Sequence, residues 1–306
     1  MIGPAAAACL VGERNGFCWY HVDDPKGPAL DELAAQLGLH ELAIEDCRNY
    51  RQRAKLEEYD GHLFLIFNSI HFNPEKQECW FGEINFFVGK DFLVSVREGP
   101  TPSRTVADVL PTFRSDPTMA HPGRLLQHML DFMADQYLPV LDTVEDRIEQ
   151  IEEQILDNPT PRLLADIFAL RRALIDFRRV ALAGREAINH LLYRAEPWFR
   201  SQQPYFRNIY DHIVRALDFA ETYRDILTGV LDVHLSATAN RTNEIMKSLT
   251  FWATVAIPFL LITGFFGMNF PNLPWLESSL GWMYALLAMI TVGVAMGVYF
   301  KYRGWF

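Results

Sequence analysis

The chain has 306 residues, half of them hydrophobic, 13% aromatic and 22% charged. That is more than one small core requires, and it excludes disordered and collagen-like classes. The 38 acidic residues outnumber the 28 basic ones, for a formal charge of −10. This balance argues against nucleic-acid binding, which needs clustered cations to displace phosphate counterions; an acidic surface attracts cations instead.

The first part of the chain, residues 1–120, alternates between strand and helix patterns and reads as a soluble α/β domain. Residues 17–22 read as a strand, and 29–38 and 41–48 as short helices. Segments 62–72 and 79–97 are rich in Phe, Ile and Val, with breaks at Asn73-Pro74 and Gly89-Lys90, and read as strands and turns. The four cysteines, Cys9, Cys18, Cys47 and Cys79, form no CxxC pair, which is a poor framework for disulfides or zinc, so a reducing compartment is expected. Residues 1–9 are small and apolar without a basic flank, so no export leader is expected.

From Arg124 the pattern becomes helical, running to Asp157 with Pro139 as its one internal breaker. Leu141, Val144, Ile148, Ile151 and Ile155 form an apolar stripe at helical spacing, while the other faces carry seven carboxylates against a single arginine, Arg147. The next helix, from Leu163 to about Tyr193, carries Arg171, Arg172, Arg178, Arg179, Arg185 and, just beyond it, Arg194. Residues 121–203 thus read as an antiparallel cytosolic hairpin, acidic then basic, with cross-helix pairing. Two further readings stand beside this one, a solvated pair of charged faces and an acidic arm that concentrates cations.

Residues 205–268 contain no proline before Pro258. As one helix they would extend roughly 95 Å at about 1.5 Å per residue. The segment divides into a stalk, 204–248, and an uncharged stretch, 249–268, that meets the length of a membrane span. A loop at 269–279 leads to a second span, 280–300, and a tail, 301–306. Arg241 and Lys247 precede the first span and Lys301 and Arg303 follow the second, while the loop carries only Glu277. By the positive-inside rule both termini are cytoplasmic. Two spans cannot enclose an aqueous pore in one chain, so a conduction path would lie on a symmetry axis between copies.

A helix beside such an axis shows it one face. At 3.6 residues per turn that face runs through Asp232, Ser236, Ala239, Asn243, Met246, Thr250, Ala253, Ile257, Leu260 and Gly264. In a ring of copies this gives a carboxylate ring that gathers cations, an amide ring, and apolar constrictions that can gate by dewetting. The same stripe is also compatible with ordinary bundle packing of Met246 and Ile257 and a solvated Asp232. Asp211, Asp218, Asp225 and Asp232 recur every seven residues, on roughly one face, and are expected to meet solvent or a central funnel.

Gly267-Met268-Asn269 stands at the outer end of the first span, followed by Phe270 and Pro271, with an aromatic-basic tail YFKYRGWF at 299–306. With these features, the stretches ETYRDILTGVLDVHLS (221–236) and NRTNEIMKSLT (240–250), and LHELAIEDCRNYRQRAKLEEYDGHLFLIF (39–67), the chain resembles the CorA family of divalent-cation transporters within the two-span CorA/ZntB superfamily. The resemblance implies a membrane protein with an α/β cytosolic domain, long stalk helices and a two-helix transmembrane hairpin, assembled as a funnel-shaped homopentamer in a bacterial-type inner membrane. It implies passive, potential-driven transport of Mg²⁺, with Co²⁺ and Ni²⁺, and no cofactor. Gly267, Met268 and Asn269 take the part of the selectivity filter. Asp232, Asn243, Met246, Leu249, Ile257 and Leu260 carry over as pore positions, of which Leu249 alone is off the face derived above. Asn269, Asn243 and Asp232 are the implied metal-contacting residues.

The chain departs from that pattern at several positions. Position 208 is Asn, where relatives gated by Mg²⁺ often have an acid; Asp211, one turn on, could partly replace it in a regulatory metal site. Phe266 replaces the usual Tyr, Leu260 a common polar residue, and the loop places its acid late, at Glu277. A ZntB-like Zn²⁺ transporter, coupled to protons or not, is the second expectation, and a non-conducting membrane scaffold or sensor the third. An enzyme is not expected, since HExxH, GxSxG, P-loop and Rossmann signatures are all missing. His62, His71 and Cys79 fall on neighbouring strands and read as an ordinary strand surface rather than a metal cluster.

Overall fold

A computed structural model describes residues 9–49, 52–98, 105–157, 160–193, 197–268 and 280–304. They fall into two compact units, Met1–His234 and Leu235–Phe306.

The first unit is built on a six-stranded sheet of β1 (Leu10–Arg14), β2 (Phe17–Val22), β3 (Lys55–Tyr59), β4 (His62–Asn73), β5 (Glu78–Gly89) and β6 (Phe92–Glu98), in the order β1-β2-β6-β5-β4-β3. Only β2 and β6 run parallel. The chain leaves β2 through α1 (Pro28–Leu37) and α2 (Glu41–Arg48) before the antiparallel run β3 to β6 brings it back beside β2. Helix α1 stops at Gly38, whose φ of 67° is a left-handed cap open to glycine at little cost.

Alternation along the strands assigns the sheet's two faces. Phe64, Ile66, Phe87, Val94 and Val96 pack with Leu30, Leu33 and Ile44 of α1 and α2. Leu63, Leu65, Phe67, Ile84 and Phe86 belong to the larger core shared with the later helices. Because both faces are covered, the central part of β4 reads as a continuous buried apolar run rather than an alternating one. Burying each such side chain contributes about 1.5–3 kcal/mol.

Helices α3 (Thr105–Ser115), α4 (Pro122–Asp135), α5 (Tyr137–Asp157) and α6 (Pro161–Leu192) follow, then the one-turn α7 (Pro197–Arg200), α8 (Gln203–Phe266) and α9 (Gly281–Tyr302). Gly184 of α6 lies where a Cβ would come within 3.2 Å of the Phe67 ring, so its lack of a side chain lets the helix approach the sheet. Tyr137 donates to the Asn68 carbonyl at 2.6 Å, satisfying its buried hydroxyl.

Several expectations change in detail. The single helical run from Arg124 breaks at Gln136, and Pro139 sits in the first turn of α5, where its missing N–H costs no hydrogen bond. Strands β1 and β3 and helix α3 were not legible. β3 (KLEEY) is a charged edge strand with only Leu56 buried, and α3 contains Pro111. The ion pair that joins α5 to α6 reverses the expected signs: Arg147, the lone base of the acidic helix, meets Asp166 of the basic one at 3.0 Å. Gln77, at the β4–β5 turn, joins them by accepting from Arg147 Nε at 2.8 Å and donating to the Asp166 carbonyl at 3.0 Å.

Within the second unit, the end of α8 lies beside α9. Phe251 meets Phe300 edge-on with ring centroids 5.0 Å apart, and a Cβ on Gly293 would stand 3.4 Å from the Phe259 ring. Both helices are long and apolar enough to cross a membrane.

Candidate ion pathway

Helix α8 carries most of the residues assigned to a pathway. In the second unit the half-covered positions after Leu249 are Phe251, Val255, Pro258, Phe259, Ile262 and Phe266. They recur at helical spacing and include the residues that meet α9. Ser236, Ala239, Asn243, Met246, Thr250, Ala253, Ile257, Leu260 and Gly264 are all exposed. At about 100° per residue this stripe lies roughly 150° around the helix from the α9-facing one. The α9-facing side and the stripe are therefore opposite, and within the first span the stripe combines Thr250, Ala253 and Gly264 with Ile257 and Leu260. Leu249 is also exposed, at 62%, but sits to one side of the stripe.

Gly267 and Met268, two of the three residues expected to form a filter, follow the end of α8. Helix α8 stops at Phe266, two residues before the expected limit of the span at Met268. The Gly267 N–H donates to the Thr263 carbonyl at 2.9 Å and the Met268 N–H to the Phe265 carbonyl at 3.3 Å, which closes the last turn. Gly267 and Met268 are both exposed. Asn269 and the loop through 279 lie outside the described residues.

In the first unit α8 buries Phe206, Ile209, Ile213, Ala216, Ala220, Tyr223, Leu227 and Val230. Asn208, Asp211, Asp218, Asp225 and Asp232 are exposed. The carboxylate row thus occupies the face turned away from the core. Tyr223 ties this helix to α5 by donating to Glu145 at 2.7 Å, and burial, then that carboxylate, raises the Tyr223 hydroxyl above its ordinary pKa. His234 is buried, on the side away from the Asp row.

Among the described residues, one group of three brings metal-ligand atoms together, and sequence reading missed it. Asp131 and Asp135 of α4 and His212 of α8 hold such atoms within 4.8 Å of one another, with His212 Nδ1 3.0 Å from Asp135 Oδ1. Burial, then Asp135, pushes the Asp131 carboxyl up. The i, i+4 spacing of the two aspartates was a visible signal, whereas His212 is 77 residues from Asp135. His62, His71 and Cys79 are not brought together. His62 stacks on Tyr59, His71 stacks on Trp80 at 3.8 Å, and burial pushes the Cys79 thiol up to about 12.

An α/β unit, a 64-residue helix ending in a membrane-length apolar stretch and a second membrane-length helix make the plan of a two-span membrane protein. A family model described as "CorA-like Mg2+ transporter protein" matches residues 14–302. The chain is 31% identical over 276 residues to the cobalt/magnesium transport protein CorA of Thermotoga maritima, covering 88% of this chain and 77% of that protein. It is 22% identical to the zinc transport protein ZntB of Yersinia enterocolitica, over 94% of this chain and 88% of that one. The complete structure of the CorA magnesium transporter from Methanocaldococcus jannaschii superposes with a TM-score of 0.83 at 23% identity, covering 95% of this chain and 92% of that one. The chain belongs to the CorA-like family of Mg²⁺ transporter proteins. It is a divalent-cation transporter and not an enzyme.

Proposed function

We propose that this protein forms a homopentamer in a bacterial-type inner membrane and conducts Mg²⁺, with Co²⁺ and Ni²⁺, inward along its axis, both termini lying in the cytoplasm. The observation that carries this reading is the exposed stripe Ser236 to Gly264 on the face of α8 opposite α9. Ser236 and Asn243 fall in the stalk and Thr250 at the start of the first span, so on a water-filled axis these polar groups stay hydrated, while Ile257 and Leu260 carry the same stripe into the membrane. Residues 249–268 and 280–300 are the spans, 204–248 the stalk, 121–203 the charged hairpin and 1–120 the cytosolic α/β domain.

In this arrangement Gly267, Met268 and Asn269 select at the outer mouth. Mg²⁺ holds its first water shell tightly, so a ring of carbonyl dipoles that grips the hydrated ion suits it better than a carboxylate ring that would trap it. Asn243 gives an inner amide ring and Asp232 a carboxylate ring that raises local cation concentration. Met246, Leu249, Ile257 and Leu260 narrow the path and gate it by dewetting. An inside-negative potential of 100 mV supplies about 4–5 kcal/mol per divalent ion, so no ATP is needed. Asp211, beside Asn208, is left to serve a regulatory ion.

A second reading is Zn²⁺ transport, favoured by Asn208, Phe266 and the likeness to a zinc transport protein. Uptake of Mg²⁺, Co²⁺, Ni²⁺ and Zn²⁺ into proteoliposomes, with and without a pH gradient, separates the two. Potential-driven Mg²⁺ entry indifferent to pH supports the first reading, and Zn²⁺ entry that follows the proton gradient with Mg²⁺ excluded replaces it with the second. No flux of any ion would leave a scaffold or sensor.

A further inference from the structure

Helix α6 carries an apolar seam that the other described residues leave largely uncovered. Its buried side, including Leu170, Leu174 and Phe177, packs into the core. On the opposite side Phe168 is 47% and Ile175 53% exposed, and the half-buried Leu182 continues the same seven-residue spacing. Arg171, Arg178 and Arg185 repeat at the same interval along one flank, and Arg172 and Arg179 along the other. Among the described residues Arg171 and Arg178 have no ion partner, while Arg179 and Arg185 meet only near neighbours on their own helix, Asp176 and Glu186.

The first-unit part of α8 shows the complementary pattern. Phe219, Ile226 and Val233 are 43%, 38% and 48% exposed, again seven residues apart. Asp211, Asp218 and Asp225 repeat beside them and are exposed. Two helices with apolar rows at heptad spacing and flanking charges of opposite sign have the pattern by which helices recognise one another. The acidic face of α5 is a poorer match, since its exposed residues offer carboxylates without an apolar row.

We infer that the Arg-flanked seam of α6 in one copy docks on the Asp-flanked seam of α8 in the next copy. This rests on the oligomeric reading above and deepens it. The two surfaces are different faces of one chain, so the contact is head-to-tail, and such contacts close into rings when the rotation allows. With Ile175 opposite Ile226, Arg178 lies within about one helical turn of Asp225 whichever way the helices run, so the middle of the Asp row holds the neighbour and Asp211 keeps the regulatory part proposed above.

The test uses full-length protein in detergent with the four cysteines replaced by alanine. Ile175→Cys and Ile226→Cys are the central members of their seams, so they meet whichever way the helices run. Together they should form disulfide-linked bands extending past dimer under mild oxidation, while either alone yields none. Light scattering and native mass spectrometry report the ring independently. A ring that forms without the 175–226 cross-link overturns the inference and leaves the axial pathway standing. A monomer throughout overturns both. Arg178→Asp and Asp225→Arg should each cut the fraction of ring surviving tenfold dilution by at least half, and their combination should restore it. Failure of the combination to restore a ring that each single change weakens also overturns the pairing.

Discussion

Phe64, Leu65, Phe67 and Phe86 of the first unit are 0% exposed, whereas Trp282, Leu261 and Leu287 of the second are 69%, 68% and 64% exposed. The first unit satisfies its apolar residues by itself, with a sheet covered on both faces. The second has two helices that meet along one side of each, partly through aromatic rings, and leave most of their other positions exposed. A water-soluble unit with that surface would aggregate. The difference locates two different solvents for one chain: water and its own core for the sheet unit, lipid and further copies for the hairpin. It also separates what each unit can do. The sheet unit supplies stability, and the hairpin has free faces to spend on a pathway.

Substitutions can break this division. The largest effect is expected from Asn269→Ala, which should abolish ion uptake while light scattering shows the assembly unchanged; undiminished uptake would remove the proposed filter. Phe67→Ala should do the reverse. It leaves a cavity between the sheet, α6 and Tyr137 and should cost the first unit about 3–5 kcal/mol, read as a lower melting temperature with filter selectivity retained. Ile257→Asn places an amide in the proposed apolar constriction and should raise resting leak several-fold, seen as faster ion entry without an applied potential. If leak is unchanged, Ile257 packs against lipid or a helix and does not narrow the path.

Two smaller effects sharpen the contrast. Asp232→Ala should slow uptake only about two- to threefold, and less at high salt, because an exposed carboxylate ring acts by screened attraction. In the sheet unit, burial lowers the pKa values of His62, His71 and His121. As pH falls below about 6.5, the ordinary imidazole value, the unfolded chain takes up these protons before the folded one does. Stability is therefore fully present above about 6.5, declines as pH falls below it, and levels off below the lower folded values. Thermal melts between pH 7.5 and 5.5 should show that slope, and His62→Gln should flatten it.

Some of the molecule is written in local pattern. The 17–22 strand and the 41–48 helix coincide with β2 and α2 residue for residue, since a β-rich run and a 3.6-residue apolar period are properties of the segment itself. The Asp232 to Gly264 stripe was visible for the same reason: side chains on one helix keep their relative directions whatever surrounds them. β3 was not visible, because an edge strand with charges on its open side lacks the apolar signal and exists only by pairing with β4. Pro139 was read as the interruption between residues 124 and 157, yet the break at Gln136 depends on how α4 and α5 each turn an apolar face to the sheet.

The sequence alone determined the two-span plan, the carboxylate row and the family, since length, hydropathy and motif are carried by the chain without reference to contacts. Tertiary structure decided which sides of α6 and α8 are left uncovered, that Arg147 pairs with Asp166, and that Asp131, Asp135 and His212 converge. These depend on residues distant in sequence meeting through a shared core, and no local period encodes such meetings.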